Sequence, residues 1–274
     1  MPLHIMERLI AVSFALISLL VQPATAEEIR HTSHFSIKFG VLEVGRAKFE
    51  ISHNDKVYEL SGSGKTSGLA EWFSPTKGNF KSMGMLDEAR LNPSKYQISV
   101  KEKAKPKESV QLSFSNNLVT DIDVISNKKR KKKGRKNFIP LTENHKRDVI
   151  DPISSLLVPV TSKSLGNGQE ICDRRFPIFD GETRYDIRLY YKSNKAVKTS
   201  GFDGKAYVCQ MRYVPVAGHR KNHRNVRKMA NNKDMEVWLA PIASGDMFTP
   251  IKFIIRTEYG IFTANPLHFG EEKS

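Results

Sequence analysis

The chain has 274 residues, 39% of them hydrophobic, and 44 basic against 29 acidic side chains give a formal charge of +15. That apolar content supports a sizeable core, while such a charge speaks to solubility and non-specific partners rather than to fold. Two cysteines without a Cys-x-x-Cys spacing leave no thiolate metal site, and no apolar run is long enough to span a bilayer, which needs about 20 residues.

The N-terminus reads as an export signal. Arg8 precedes an apolar run over residues 9–21, and Gln22-Pro23-Ala24-Thr25-Ala26 ends it with an Ala-x-Ala pattern before Glu27. Residues 1–26 are therefore expected to be cleaved, and residues 27–274 to form a single periplasmic β-domain. No cysteine lies at the cleavage site, so no lipid anchor is expected. Loss of Glu7 and Arg8 together leaves the net charge unchanged. In a periplasm the abundant anions are lipid phosphates, lipopolysaccharide cores and polyanionic glycans. The cysteines, in an oxidising compartment, predict one disulfide between Cys172 and Cys209.

From His34 onward, short runs alternate in period two between turn residues, as a half-buried antiparallel sheet requires. Phe35, Ile37 and Phe39 alternate with Ser36 and Lys38; Ala47, Phe49 and Ile51 alternate with Lys48 and Glu50; and His53-Asn54-Asp55-Lys56 predicts a hairpin loop. Gly62-Ser63-Gly64-Lys65-Thr66 resembles a phosphate loop, but Glu59 stands where its first glycine belongs, so it reads as a strand end. Residues 66–73 predict a short helix with Leu69, Trp72 and Phe73 turned inward. Strands follow over residues 79–85, 94–102, 108–114 and 118–125.

Next comes a block of like charge at Lys128, Lys129, Arg130, Lys131, Lys132, Lys133, Arg135 and Lys136. It reads either as a solvated loop or as an electrostatic foot on anionic lipid, where each basic residue contributes about 1 kcal/mol. No aromatic residue is interleaved, so base stacking is not prepared. Residues 148–158 predict a helix capped by Asp151 with Pro152 at its first position; Ile153, Leu156 and Leu157 share one face and would plug an open end of the sheet.

Residues 171–219 give the clearest alternation. Tyr185, Ile187, Leu189 and Tyr191 share one face and Arg184, Asp186 and Arg188 the other, and a return strand carries Tyr207, Cys209, Met211 and Tyr213. The polar face reads as solvent-facing, or as a cleft in which Asp180, Arg184, Asp186 and His219 converge on a ligand. His219 to Lys228 forms a second basic loop, and its His219/His223 spacing lacks the carboxylate a metal would want. No metal or cofactor is expected. Residues 235–239 and 251–259 predict two further strands around Gly245-Asp246.

Several runs then carry a resemblance: Ser82-Met83-Gly84, Asp151-Pro152-Ile153-Ser154, Phe179-Asp180-Gly181, Arg184-Tyr185-Asp186, Cys209, Pro215-Val216-Ala217-Gly218-His219 and Val237-Trp238-Leu239-Ala240-Pro241, followed by Pro250, Thr257 and Gly260. In this order they resemble an uncharacterised proteobacterial family of exported domains of unknown function. That family is similar in outline to periplasmic envelope-integrity proteins with a spiral β-sheet. The resemblance implies a mainly β fold, an antiparallel curved sheet forming an open spiral or half-barrel with one or two short helices plugging it. The basic insertions at 128–136 and 220–228 depart from the pattern.

The expected function is a non-enzymatic periplasmic protein supporting cell-envelope integrity by binding a lipid, lipoprotein or peptide on the curved sheet, with the basic loops on an anionic membrane surface. An enzyme acting on an envelope glycan or lipid through Asp180, Asp186 or His219 is the alternative. Neither a nucleophile elbow nor a metalloprotease helix supports it. Nucleic acid is not an expected partner, because of the export signal.

Overall fold

The computed structural model describes residues 29–271 apart from residues 55, 104, 127–136, 162–165 and 243–244. The segment expected to be an export signal and the basic run at 128–136 lie outside the described residues. Two antiparallel meanders build the molecule. The first runs through β1 (Ile29–Phe39), β2 (Leu42–His53), β3 (Val57–Thr66), the short helix α1 (Leu69–Phe73), β4 (Thr76–Asp87), β5 (Arg90–Glu102), β6 (Lys105–Ser115) and β7 (Leu118–Ser126). After β8 (Val158–Pro159) and α2 (Gly168–Cys172) comes the second: β9 (Arg174–Phe179), β10 (Arg184–Thr199), β11 (Phe202–Ala217), α3 (Arg224–Asn231), β12 (Met235–Pro241), β13 (Met247–Thr257) and β14 (Gly260–Gly270).

One 14-stranded sheet results, ordered β7 to β1, then β14 to β9, with β8 paired to β13. β1 and β14 join the meanders at the centre, with Ile37 opposite Ala264 and Phe39 opposite Phe262. The outer strands, β7 and β9, do not pair with each other, so the sheet is curved but open, as the resemblance implies. Register places Ile51, Leu60, Ser82, Tyr96 and Leu112 in one row on the concave face. On the other wall, Phe176, Leu189, Cys209 and Val237 are buried on the same face.

The segment between the edges fills the lower part of this concavity. Leu157 and Val158 are fully enclosed and pack with Ile51, Tyr58 and Leu60 of one wall and with Leu239 and Ile251 of the other. The helix predicted over residues 148–158 does not form. Ile150 instead bridges Ile178 in parallel at the free edge of β9, Ser154–Leu156 makes one 3-10 turn, and β8 follows. A segment sandwiched between two walls must present apolar side chains in both directions, and a single-faced helix cannot. Asp151 still caps the turn, its Oδ1 accepting from the Ile153 and Ser154 amides at 2.9 Å.

Two more expectations change. Trp72 and Phe73 point outward, 86% and 81% exposed, because α1 sits at a hairpin tip beyond the reach of the core. The second basic loop is half helical: α3 starts after His223, carries no buried residue, and lies over the β13–β14 turn through Lys228 and the Tyr259 hydroxyl at 2.8 Å. The predicted disulfide is present, Cα–Cα 5.4 Å, closing a separation of 37 residues. It ties the end of α2 to β11 across β10, where Tyr191 opposes Cys209. Loop closure of that length stabilises by about 4 kcal/mol in the chain-entropy account.

Candidate functional site

Three polar or apolar constellations stand out, and only some were expected. The first lies at the floor of the concavity. Ser82 and Ser154 donate to Asp151 Oδ2 at 2.9 and 2.5 Å, and the Tyr58 hydroxyl meets Ser154 Oγ at 2.8 Å. Ser82, Asp151 and Ser154 are fully buried and Tyr58 is 2% exposed. Burial raises the Asp151 carboxyl, against the lowering effect of its serine and amide donors. A hydroxyl–carboxylate pair can in principle activate a nucleophile, but no substrate reaches this one. It is a clasp that fastens the inserted segment to β3 and β4. Gly84 continues the clasp, since a Cβ there would stand 2.6 Å from the Tyr58 hydroxyl.

The second constellation contains the residues expected to converge on a ligand, and the structure separates them. Arg184 donates to Asp186 Oδ1 at 2.7 Å and to the Tyr185 carbonyl at 2.6 Å, and Arg175 donates to Asp186 Oδ2 at 2.7 Å. Burial would raise the Asp186 carboxyl, but the two guanidiniums hold it below the usual carboxylate range. Asp180 is engaged in its own turn, accepting from the Glu182 and Thr183 amides and the Thr183 hydroxyl. That turn is a contact point of the two edges: a Cβ on Gly181, at φ +98°, would stand 2.8 Å from Val110 of β6. His219 lies past the end of β11, its carbonyl accepting from Ile139, with Nδ1 buried and unpartnered among the described residues. Arg184 and Asp186 are thus brought together, and Asp180 and His219 are not joined to them.

Beside the Arg184–Asp186 pair opens a cleft of about 670 Å³ whose walls include Arg90, Arg147, Arg174, Arg175 and Arg184. Among the described residues Asp148 is its one lining carboxylate, so the cleft suits an anion and opposes a cation. No group of three or more potential metal ligands occurs among the described residues. Sequence reading missed the contributions of Arg90 and Arg147, which come from the start of β5 and a loop far apart in the chain.

The third constellation is apolar. Above the inserted segment the concave face continues with Ile37, Phe49, Phe80, Ile98, Tyr213 and Phe253, all half-buried rather than sealed. Phe35, Phe49 and Phe80 run across three of its strands with ring centroids 5.3 Å apart at each step. Gly62 makes this possible, because a Cβ there would meet the Phe80 ring at 2.4 Å. Alternation places Phe35 and Phe49 each on the apolar face of its own strand, whereas sequence reading did not single out Phe80.

Sequence reading also passed over His31, which is 2% exposed at the β1–β14 seam, bonded to Ser33 Oγ at 2.8 Å and edge-on to Phe269. Burial, with His268 and His53 nearby, lowers its pKa to about 4.

Comparison with known proteins gives the family. No curated protein matches the chain. A crystal structure titled as a beta-barrel-like protein of the domain of unknown function DUF1849, from Brucella abortus, is similar at 6% identity and a TM-score of 0.48, covering 90% of this chain and 99% of that one. A family model described as protein of unknown function (DUF3108) matches residues 34–265. The chain therefore belongs to the DUF3108 family.

Proposed function

We propose that this is a non-enzymatic periplasmic protein that supports the cell envelope by holding an acyl chain, free or on a lipid or lipoprotein, against the concave face above the inserted segment. One observation carries the reading. The row through Phe49 and Phe80 is left half-buried, while the lower part of the same face is packed shut by the protein's own chain. Concave, mostly apolar surfaces edged by a few polar groups are where small amphiphiles bind. The buried serines and Asp151 are enclosed as a clasp, and the Arg184–Asp186 pair neutralises itself, so neither favours the enzymatic alternative. An exported protein with a disulfide fits the compartment this role requires.

The test is recovery of ligand. Native mass spectrometry of mature protein purified from the periplasm is expected to show an acyl-bearing adduct. After delipidation, a fluorescent fatty acid should bind saturably at one per chain and be displaced by lipid. Phe49→Glu, with circular dichroism unchanged, should weaken that binding at least tenfold. A protein that carries no adduct and binds no fatty acid once delipidated does not have this function.

A further inference from the structure

Every turn that leads out of β1, β3, β5 and β13 lies at one end of the sheet, because the strands alternate in direction without exception. Across neighbouring strands these tips are the β5–β6 turn, α1, the Gly40-Val41 turn and the Glu258-Tyr259 turn. Two of them display bare apolar side chains, and a third carries Tyr259, whose ring is exposed but held by Lys228. Val41 is 91% exposed, Trp72 86%, Phe73 81% and Tyr259 67%. Large aromatic side chains left this open at adjoining tips mark an interaction surface, whereas scattered single ones do not.

The α1 tip is held firmly, which separates display from looseness. Ser67 donates from its amide to the Val44 carbonyl and from its hydroxyl to Glu43 Oε1 at 2.9 Å. On the far side Ser74 donates to Glu102 Oε1 at 2.7 Å. Gly68, at φ +59°, lets the chain pass Glu43, where a Cβ would stand 2.7 Å from a carbonyl oxygen. The loop is pinned to β2 and β5 by polar contacts, and its two aromatic rings are given to solvent.

Directly below the tip, on the convex face, register lines up four cations. Arg46 opposes Lys65, Lys65 opposes Lys77, and Lys77 opposes Lys101, one on each of β2, β3, β4 and β5. With strands about 4.8 Å apart, the row spans roughly 15 Å. Arg46 is paired with Glu43 at 2.8 Å. Lys65, Lys77 and Lys101 are exposed and have no carboxylate in ion-pair reach among the described residues. Like charges placed directly opposite one another destabilise a sheet, so the row is a cost that an external anion would relieve. At the other end of the sheet the exposed apolar pair Val57 and Met85 has Glu59, Asp87 and Glu88 near it in sequence and no such row.

We propose that this end of the sheet is a membrane-docking rim, in which Trp72 and Phe73 enter the interfacial layer of an anionic bilayer while Arg46, Lys65, Lys77 and Lys101 lie against its phosphates. Tryptophan and tyrosine favour the headgroup level, where an apolar body and a polar edge are both satisfied. Cations beside them are attracted to anionic lipid and held off by zwitterionic lipid. The proposal stands independently of an acyl ligand, but it sets the half-open concave face with its mouth towards the bilayer.

The chain has two tryptophans, so Trp238→Phe leaves Trp72 as a lone reporter. Mature protein carrying that change is mixed with vesicles of phosphatidylethanolamine and phosphatidylglycerol at 3:1, or of phosphatidylcholine alone. The expected result is binding to the anionic vesicles only, with a blue-shifted Trp72 emission, quenching by lipids brominated near the headgroup end of the acyl chain, and release at 0.5 M salt. Trp72→Ser with Phe73→Ser, at unchanged melting temperature, should weaken vesicle binding at least tenfold. Binding without an emission shift or quenching would mean that another surface meets the lipid, and would overturn the rim. So would equal binding by the serine variant, or no binding at all. A fatty acid that still binds in those cases leaves the acyl reading intact.

Discussion

Asp151 takes four hydrogen bonds, two from backbone amides and two from serine hydroxyls, in full enclosure. Removing the carboxylate strands those donors, so Asp151→Ala should cost about 3 kcal/mol in urea unfolding. Asn is milder, because its carbonyl still serves the amides while Ser82 and Ser154 can turn to accept from its NH2. The pH dependence separates the two chemistries. Burial raises the Asp151 carboxyl, so the folded state holds a proton that the unfolded chain releases. Its contribution is complete below the ordinary carboxylate range and is lost as pH rises towards the raised value. Asp151→Asn should abolish that falling limb. His31 runs the other way. Its pKa lies near 4 when folded against 6.5 for an ordinary imidazole, so the unfolded chain takes the proton first. Stability is complete above pH 6.5 and falls by roughly 3 kcal/mol as pH drops to 4. His31→Gln, which cannot be protonated, should flatten the slope across that window, as read by urea midpoints at half-unit steps of pH.

At the scale of elements, period-two alternation made the strands legible: β4, β5, β6, β7 and β12 contain the residues expected of them, and β13 all but Glu258 and Tyr259, which form the turn. Alternation reports one buried face, which is what β4, β5 and β6 have, whereas β12 and the first half of β13 are buried on both faces. The same kind of reading failed at residues 148–158 because an Asp-Pro start signals any capped turn, and the choice between a helix and a single turn is made by what surrounds it. At α1 it failed for the opposite reason: Trp72 and Phe73 have a helical apolar pattern, but no wall stands opposite them. The cationic row was hidden because Arg46, Lys65, Lys77 and Lys101 become neighbours only through register. That row makes a prediction of its own. If it costs stability, Lys77→Gln, which removes two adjacent repulsions, should raise the unfolding free energy by about 0.5 kcal/mol. Adding 0.5 M salt should stabilise the parent protein more than the variant, since screening relieves the same repulsion. A lysine whose loss stabilises the fold while weakening its hold on anionic vesicles is retained for binding rather than for folding.

At the scale of the whole molecule, neither the β1–β14 seam nor the contact of the Asp180-Gly181 turn with β6 is written in any local pattern. Both join residues far apart in the chain, and the Asp151 clasp does the same between the inserted segment and β4. Three of the runs that carry the family resemblance, Ser82-Met83-Gly84, Asp151-Pro152-Ile153-Ser154 and Phe179-Asp180-Gly181, fall on these joints. The upper concave face is what the closure leaves unfinished. If an acyl chain completes it, stability must depend on ligand concentration, because a ligand that binds only the folded state stabilises by RT ln(1 + [L]/Kd). At a free fatty-acid concentration one hundred times Kd this is about 2.7 kcal/mol. For a chain of this size that is roughly 5 to 10 °C in melting temperature. Delipidated mature protein should therefore melt below the protein as purified, and titration with oleate below its critical micelle concentration should restore the difference logarithmically. Phe49→Glu should melt at one temperature regardless of oleate. A melting temperature that ignores oleate in the parent protein as well would make the phenylalanine row an incompletely covered core, with no ligand to complete it.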